Sequence, residues 1–341
     1  MKEFLFEYGL FLAKTVTFVV AVVFVVGVAA AASKKARESG GLVVSSLNDR
    51  YRTMIDSLRS AVMPKKALKE FAKARKAEAK AKEKSDKQSP RVFVIDFHGD
   101  IKATGVASLR KEVSAVLALA TPEDEVLLRL ENYGGMVHEH GLAAAQLVRI
   151  REKGIPLTVT VDRAAASGGY LMACVANRIV AAPFAVVGSI GVLAQIPNFH
   201  RMLDQHGVTV EQLKAGRFKR TVTMFGENSD ADRDKLREEL EDVHRLFGQL
   251  IVQYRPHVDL GAVATGEHWY GSRALELGLV DELATSDDIL LDRLQASDLY
   301  RVQWKGRKKL SEKVAAVVEG SAAAGLRSAA RAYQESRFGS G

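Results

Sequence analysis

From Pro90 onward, short apolar runs rich in β-branched residues alternate with stretches of helical periodicity, and this alternation leaves few folds open. Val92–Phe97, Val126–Leu130, Pro156–Val161 and Ile179–Ala182 predict strands. Leu109–Leu119, Leu142–Glu152 and the segment from Ser167 through Ala176 predict helices between and after them. Strands separated by helices form parallel sheets with crossover connections, so the class is α/β. Near-continuous apolar strands fit a sheet covered on both faces. Further on, Asp230–Tyr254 predicts a long charged amphipathic helix, with shorter ones at Ser272–Leu277 and Asp287–Gln295. Residues 311–334 form an Ala-rich basic amphipathic stretch, suited to a partner surface or a membrane surface.

Ahead of this region the chain changes character twice. Thr15–Ala32 holds eighteen residues without a charge, and Leu10–Ala13 extends the apolar run past Lys14, which can snorkel. Residues 10–32 are therefore long enough to cross a bilayer and predict a retained anchor rather than a cleaved signal peptide, whose apolar core is shorter. Lys34, Lys35 and Arg37 follow at once and favour a cytoplasmic downstream side. Residues 64–90 are Ala-, Lys- and Glu-rich with few apolar anchors, which predicts a solvated helix or semi-rigid spacer ending at Pro90.

The charge follows this division. The net charge is +8, and residues 33–90 hold sixteen Lys/Arg against seven Asp/Glu, so the rest of the chain is close to neutral. The basicity belongs to a tether. Phe71 is its only aromatic between 64 and 90, so it lacks the interleaved rings of a nucleic-acid arm, and no nucleic-acid partner is expected. Cys174 is the single cysteine, which excludes an intrachain disulfide and a cysteine-based metal cluster. Its apolar helical setting predicts a buried, inert thiol.

The candidate chemistry centres on Ala165-Ala166-Ser167-Gly168-Gly169-Tyr170. Small residues at a strand-to-helix junction allow a sharp turn that presents a hydroxyl beside free N–H groups. A serine needs a base to take its proton. His138 and His140 follow Gly135 closely, but neither has an obvious orienting acid, and a surface or packing role fits them better. Lysine is the other option. At its ordinary pKa of about 10.4 it is charged at neutral pH, and desolvation or nearby cations must lower it by about three units, ~4 kcal/mol, before it accepts a proton. Lys219 lies between Phe218 and Arg220 with Arg217 close by, which offers apolar cover and positive charge together. Spacing alone leaves the base open.

Five segments carry a resemblance: LRLENYGGMV (128–137), VDRAAASGGYLMACVANRIVA (161–181), VGSIGV (187–192), KAGRFKR (214–220) and ATGEHWYGSRALELGLVDE (264–282). In this order they resemble the S49 peptidases, the signal peptide peptidase A-like Ser–Lys proteases, and within them the single-pass inner-membrane branch. The resemblance implies a Clp-protease/crotonase-like domain of stacked ββα units, preceded by one transmembrane helix and a basic linker. It implies Ser167 as nucleophile, Lys219 as general base, Ser189 as the residue that steadies the lysine amine, and the backbone N–H groups of Gly135 and Gly168 as the oxyanion hole. It implies no metal and no organic cofactor. Apolar peptides, such as signal-peptide remnants or membrane-protein segments, are the implied substrates, and a homo-oligomer is the implied assembly. Domains divide accordingly into an anchor (1–33), a basic linker (34–90), a peptidase domain (91–297) and a C-terminal amphipathic extension (298–341). A bacterial inner-membrane location follows, with family habit placing the domain outside the cytoplasm, against the flanking charge. Two positions depart from the family pattern: Asn132-Tyr133 stands where many relatives have Ser-Pro, and Arg220 where many have an acid. An acyl-CoA enzyme of the crotonase type and an anchored scaffold with an inactive site are the rival classes, and the set of Ser167, Lys219 and Ser189 favours the peptidase.

Overall fold

The computed structural model describes residues 9–12, 14–18, 40–84 and 89–306. The chain divides into a small unit made of its two terminal stretches (1–43 and 304–341) and a large unit, residues 44–303, which carries the architecture. Among the described residues no helix is long and apolar enough to cross a membrane. Most of the anchor expected at 10–32, including 19–32, and the amphipathic stretch at 311–334 lie outside the described residues.

The strands expected after Pro90 form at β2 (Arg91–His98), β3 (Glu125–Glu131), β4 (Leu157–Val161) and β6 (Arg178–Ala181). Two more join them, β9 (Glu282–Leu283) and β10 (Asp298–Lys305), and with β1 (Gly41–Ser46) they make a seven-stranded sheet in the order β1-β10-β2-β3-β4-β6-β9. Every pair from β10 to β9 is parallel. All five residues of β4 are buried, as a central strand covered on both faces requires.

One face packs against α3 (Val106–Leu117), α4 (Val137–Glu152), α5 (Gly168–Ala173) and α7 (Asp230–Tyr254). Its core includes Ile95, Leu109, Leu128, Leu147, Val159, Met172 and Ile251. The other face packs Val94, Leu127, Val180 and Leu299 against Leu47 of α1 (Leu47–Val62) and Ile289 and Leu290 of α10 (Ser286–Arg293). The Ala/Lys/Glu-rich spacer is helical as α2 (Lys65–Lys84). The helix expected from Leu142 begins earlier, at Val137, because a glycine at 141 costs only about 1 kcal/mol in a helix whose far face is packed.

A second sheet is small: β5 (Ala164–Ala166), β7 (Val186–Gly188) and β8 (His268–Tyr270), in the order β5-β7-β8. β5 and β7 run parallel with Ala166 opposite Gly188; β7 and β8 run antiparallel with Gly188 opposite His268. Two short helices, α6 (His200–Gln205) and α8 (Leu260–Val263), flank α7, and α9 (Gly271–Glu276) follows β8. Between β7 and α7 the chain makes a long excursion, much of it exposed, that includes Leu193, Leu213 and Phe218.

Candidate active site

Three alanines make β5, and all three are buried, so the strand packs with its backbone close to its neighbours. The next residue, Ser167, takes φ 52° and ψ −119° and leads straight into α5. This is a left-handed conformation that side chains rarely adopt; it costs on the order of 1–3 kcal/mol and must be held by its surroundings. The holding bonds are present: Ser167 N–H donates to Gly188 O at 2.7 Å, and Leu171 N–H donates to Ser167 O at 2.9 Å. The turn leaves the serine half-buried at the end of a rigid strand. Gly168 opens α5, so its N–H has no partner within the helix.

A glycine loop faces this turn. Gly134 has φ 91°, and a Cβ there would lie 2.7 Å from Ser167 Cβ and 2.9 Å from Gly168 N. Gly135, at φ 154°, lies so close to Ile101 that a side chain would overlap the Ile101 backbone. Met136 N–H donates to Ile101 O at 2.8 Å, fixing the loop from its far side. Both glycines are thus required by the approach of other backbone, and the loop and the Ser167 turn touch.

Asn132 and His140 lie beneath them, and both are fully buried. Asn132 Oδ1 accepts from Gly134 N–H at 2.9 Å, and Asn132 O accepts from Ala166 N–H at 3.0 Å. His140 places Nε2 3.2 Å from Asn132 Oδ1 and Nδ1 2.9 Å from Met136 O. The packing role expected for His140 is its position here; His138 is exposed and lies near Glu139. Asn132 as a member of the site was not legible from the chain, because its role depends on strand pairing across residues 132 and 165.

Ser189 mirrors Ser167. It follows the paired strand β7, also has φ 52°, and its N–H donates to Glu267 O at 2.7 Å. The Ala166–Gly188 register sets the two serines at adjacent strand ends. Gly188, between them in this arrangement, has φ 100° and packs on the Trp269 ring, so Trp269 acts as a floor for the small sheet.

Lys219 lies between β7 and α7. It sits in the exposed excursion, its N–H donates to Gly216 O at 3.1 Å, and among the described residues no hydrogen bond or ion pair reaches its amine. Phe218 beside it is half exposed, with Arg217 and Lys235 over its ring at 5.0 and 5.1 Å. Ser167 and Gly168 abut the Gly134–Gly135 loop, Ser189 follows the strand paired with that of Ser167, and among the described residues no hydrogen bond joins Lys219 to any of them. Cys174 is fully buried, and burial pushes its thiol up to about 12, as an inert cysteine requires.

The arrangement presents a constrained hydroxyl beside backbone donors, which is the equipment of acyl transfer. Comparison with known proteins agrees. The model of the peptidase family S49 N-terminal region matches residues 3–147, and that of peptidase family S49 matches residues 149–299. "Probable protease SohB" of Haemophilus influenzae is 44% identical over 335 residues, covering 94% of this chain and 95% of its own. The protein of the same description from Buchnera aphidicola subsp. Acyrthosiphon pisum is 52% identical over 228 residues, covering 67% and 68%. That from Buchnera aphidicola subsp. Schlechtendalia chinensis is 42% identical over 307 residues, covering 85% and 100%.

Proposed function

The chain belongs to peptidase family S49, a family of serine peptidases, and on that premise we propose that it is a membrane-anchored endopeptidase working through a Ser167–Lys219 dyad. The observation that carries the nucleophile is the strained turn: φ 52° and ψ −119° set Ser167 against the glycine loop and at the start of α5, whose first N–H has no partner within the helix.

In this reading the neutral Lys219 amine takes the Ser167 proton as Oγ attacks the scissile carbonyl carbon. The carbonyl oxygen gains negative charge and accepts from the Gly135 and Gly168 N–H groups. The tetrahedral intermediate collapses, the C–N bond breaks, and the lysine proton passes to the leaving amine. Water then attacks the acyl-enzyme, giving its proton to Lys219, and Ser167 is released with its hydrogen restored. Ser189, at the neighbouring strand end, orients the amine. No metal or organic cofactor enters any step.

Lys219 must reach the serine for this to happen. The excursion that carries it leaves Leu193, Val208, Leu213 and Phe218 exposed, and packing that apolar surface in a homo-oligomer would bring the lysine in and strip water from it. The fold is read as Clp-protease/crotonase-like, with residues 10–32 as the bilayer anchor. Exposed Ile101, Met136 and Val137 around the glycine loop suit apolar peptide substrates.

The test is covalent labelling of the full chain in detergent micelles with a fluorophosphonate probe. The wild type should label and Ser167→Ala should not; equal labelling of both would sink the assignment. Lys219→Ala should lower labelling at least ~100-fold with an unchanged melting temperature, and near-normal labelling would put the base elsewhere. A C-terminal reporter fusion active on one side of the membrane assigns the side of the domain.

A further inference from the structure

The peptide-cleaving scheme uses the Gly135 and Gly168 N–H groups but says nothing of what holds them apart at the right distance. We propose that Asn132 and His140 are positioning residues that brace these two donors as one unit; the inference rests on the peptidase reading above.

Asn132 Oδ1 accepts from Gly134 N–H at 2.9 Å, two residues along, which folds the loop into an Asx-type turn. Its Nδ2 faces the Met172 sulfur at 3.3 Å, so the amide orientation is set at both ends. His140 Nε2 lies 3.2 Å from the same Oδ1, and Nδ1 lies 2.9 Å from Met136 O. The imidazole therefore spans the loop from Asn132 to Met136, donating to one of these two oxygens through whichever ring nitrogen carries the proton. The two glycines lie between these anchor points.

The same ring touches the other donor. A Cβ on Gly168 would lie 2.5 Å from His140 Cγ and 2.7 Å from Cδ2, so the ring packs closely against Gly168. Gly169 in turn approaches the Asn132 carbonyl too closely for a side chain. One buried side chain is thus bonded to the loop of the first donor and packed on the backbone of the second. Without it, two glycines of broad conformational freedom would set the geometry of the hole on their own.

A double-mutant cycle tests this, reading the fluorophosphonate KI and kinact of the full chain in micelles. His140→Phe fills the space over Gly168 but removes the ring's hydrogen bond to the loop. It should lower kinact by about 10- to 100-fold, the scale of a misplaced reacting group, and change KI less than about twofold. Tyr133→Pro stiffens the same loop covalently, since the proline ring fixes φ; the Tyr133 N–H donates to no group among the described residues, so no bond is lost. In that background the His140→Phe loss should shrink to less than about threefold. An equal loss in both backgrounds, or a loss confined to KI, reduces His140 to packing and overturns the proposal. Should His140→Phe fail to fold, His140→Gln reads the same quantity: it keeps one donor and gives a smaller drop in kinact that Tyr133→Pro again suppresses, whereas an unchanged kinact overturns the proposal. A wild type without Ser167-dependent labelling brings down the peptidase reading and this inference together. Normal kinact in His140→Phe beside a Ser167-dependent wild-type signal brings down this inference alone.

Discussion

A single methyl group at residue 134 decides whether the turn can exist. Gly134→Ala places Cβ 2.7 Å from Ser167 Cβ at φ 91°, a position with no room and a conformation alanine avoids. Fluorophosphonate labelling should fall at least ~100-fold, and a near-normal rate would show that the loop does not abut the serine. Asp124 makes a different, pH-dependent contribution. Hydrogen bonds from the Arg91 guanidinium, at 2.9 and 2.6 Å, are the main cause that holds its carboxyl down to about 2. The unfolded carboxyl titrates near 3.9, so the pair stabilises the fold in full above about pH 4 and the stabilisation is lost as pH falls through about 2. The contribution is roughly 1–2 kcal/mol. Arg91→Met should remove that acid-sensitive portion from a pH series of urea unfolding curves; an unchanged acid limb would refute it. Ser167 was legible as a residue because a run of small side chains at a strand end is rare chemistry. His140 as part of the site was not, since two histidines in one segment look alike until the fold buries one and leaves its neighbour exposed.

At the scale of elements, apolar runs of five or more residues were easy to read: β2, β3, β4 and the amphipathic α7 form where their patterns put them. The small sheet was not. β5, β7 and β8 have three residues each, too few for an alternation to show, yet Ser167 and Ser189 follow directly on β5 and β7. α1 was hidden too, because a helix with only Leu47 and Asn48 buried shows solvent almost everywhere else. Asn48 ties it down: Nδ2 donates to Leu294 O and Ser297 O, at 3.2 and 3.0 Å, and Oδ1 accepts from Leu299 N–H at 2.6 Å. Asn48→Ala strands three backbone groups and should cost about 2–4 kcal/mol in urea unfolding, far more than a solvated spacer residue. Hydrogen exchange at Leu299 should quicken in step; a loss under about 0.5 kcal/mol would return α1 to the status of a loose tether.

For the whole molecule, the excursion between β7 and α7 sets the terms. Leu213 is 94% exposed near Lys219, an arrangement that a lone chain in water gains nothing from. Leu213→Asp should shift analytical ultracentrifugation in mild detergent toward the monomer and lower labelling together; a monomeric wild type with full labelling would refute the assembly reading. The paired serines have a consequence of another kind. Ser167 and Ser189 both hold φ 52°, a conformation glycine adopts freely. Ser167→Gly and Ser189→Gly should each raise the melting temperature by about 2–4 °C while labelling is lost or reduced. Drift under selection for stability alone would therefore erode both positions toward glycine. A lineage that keeps both hydroxyls on these turns is one in which bond cleavage is still under selection.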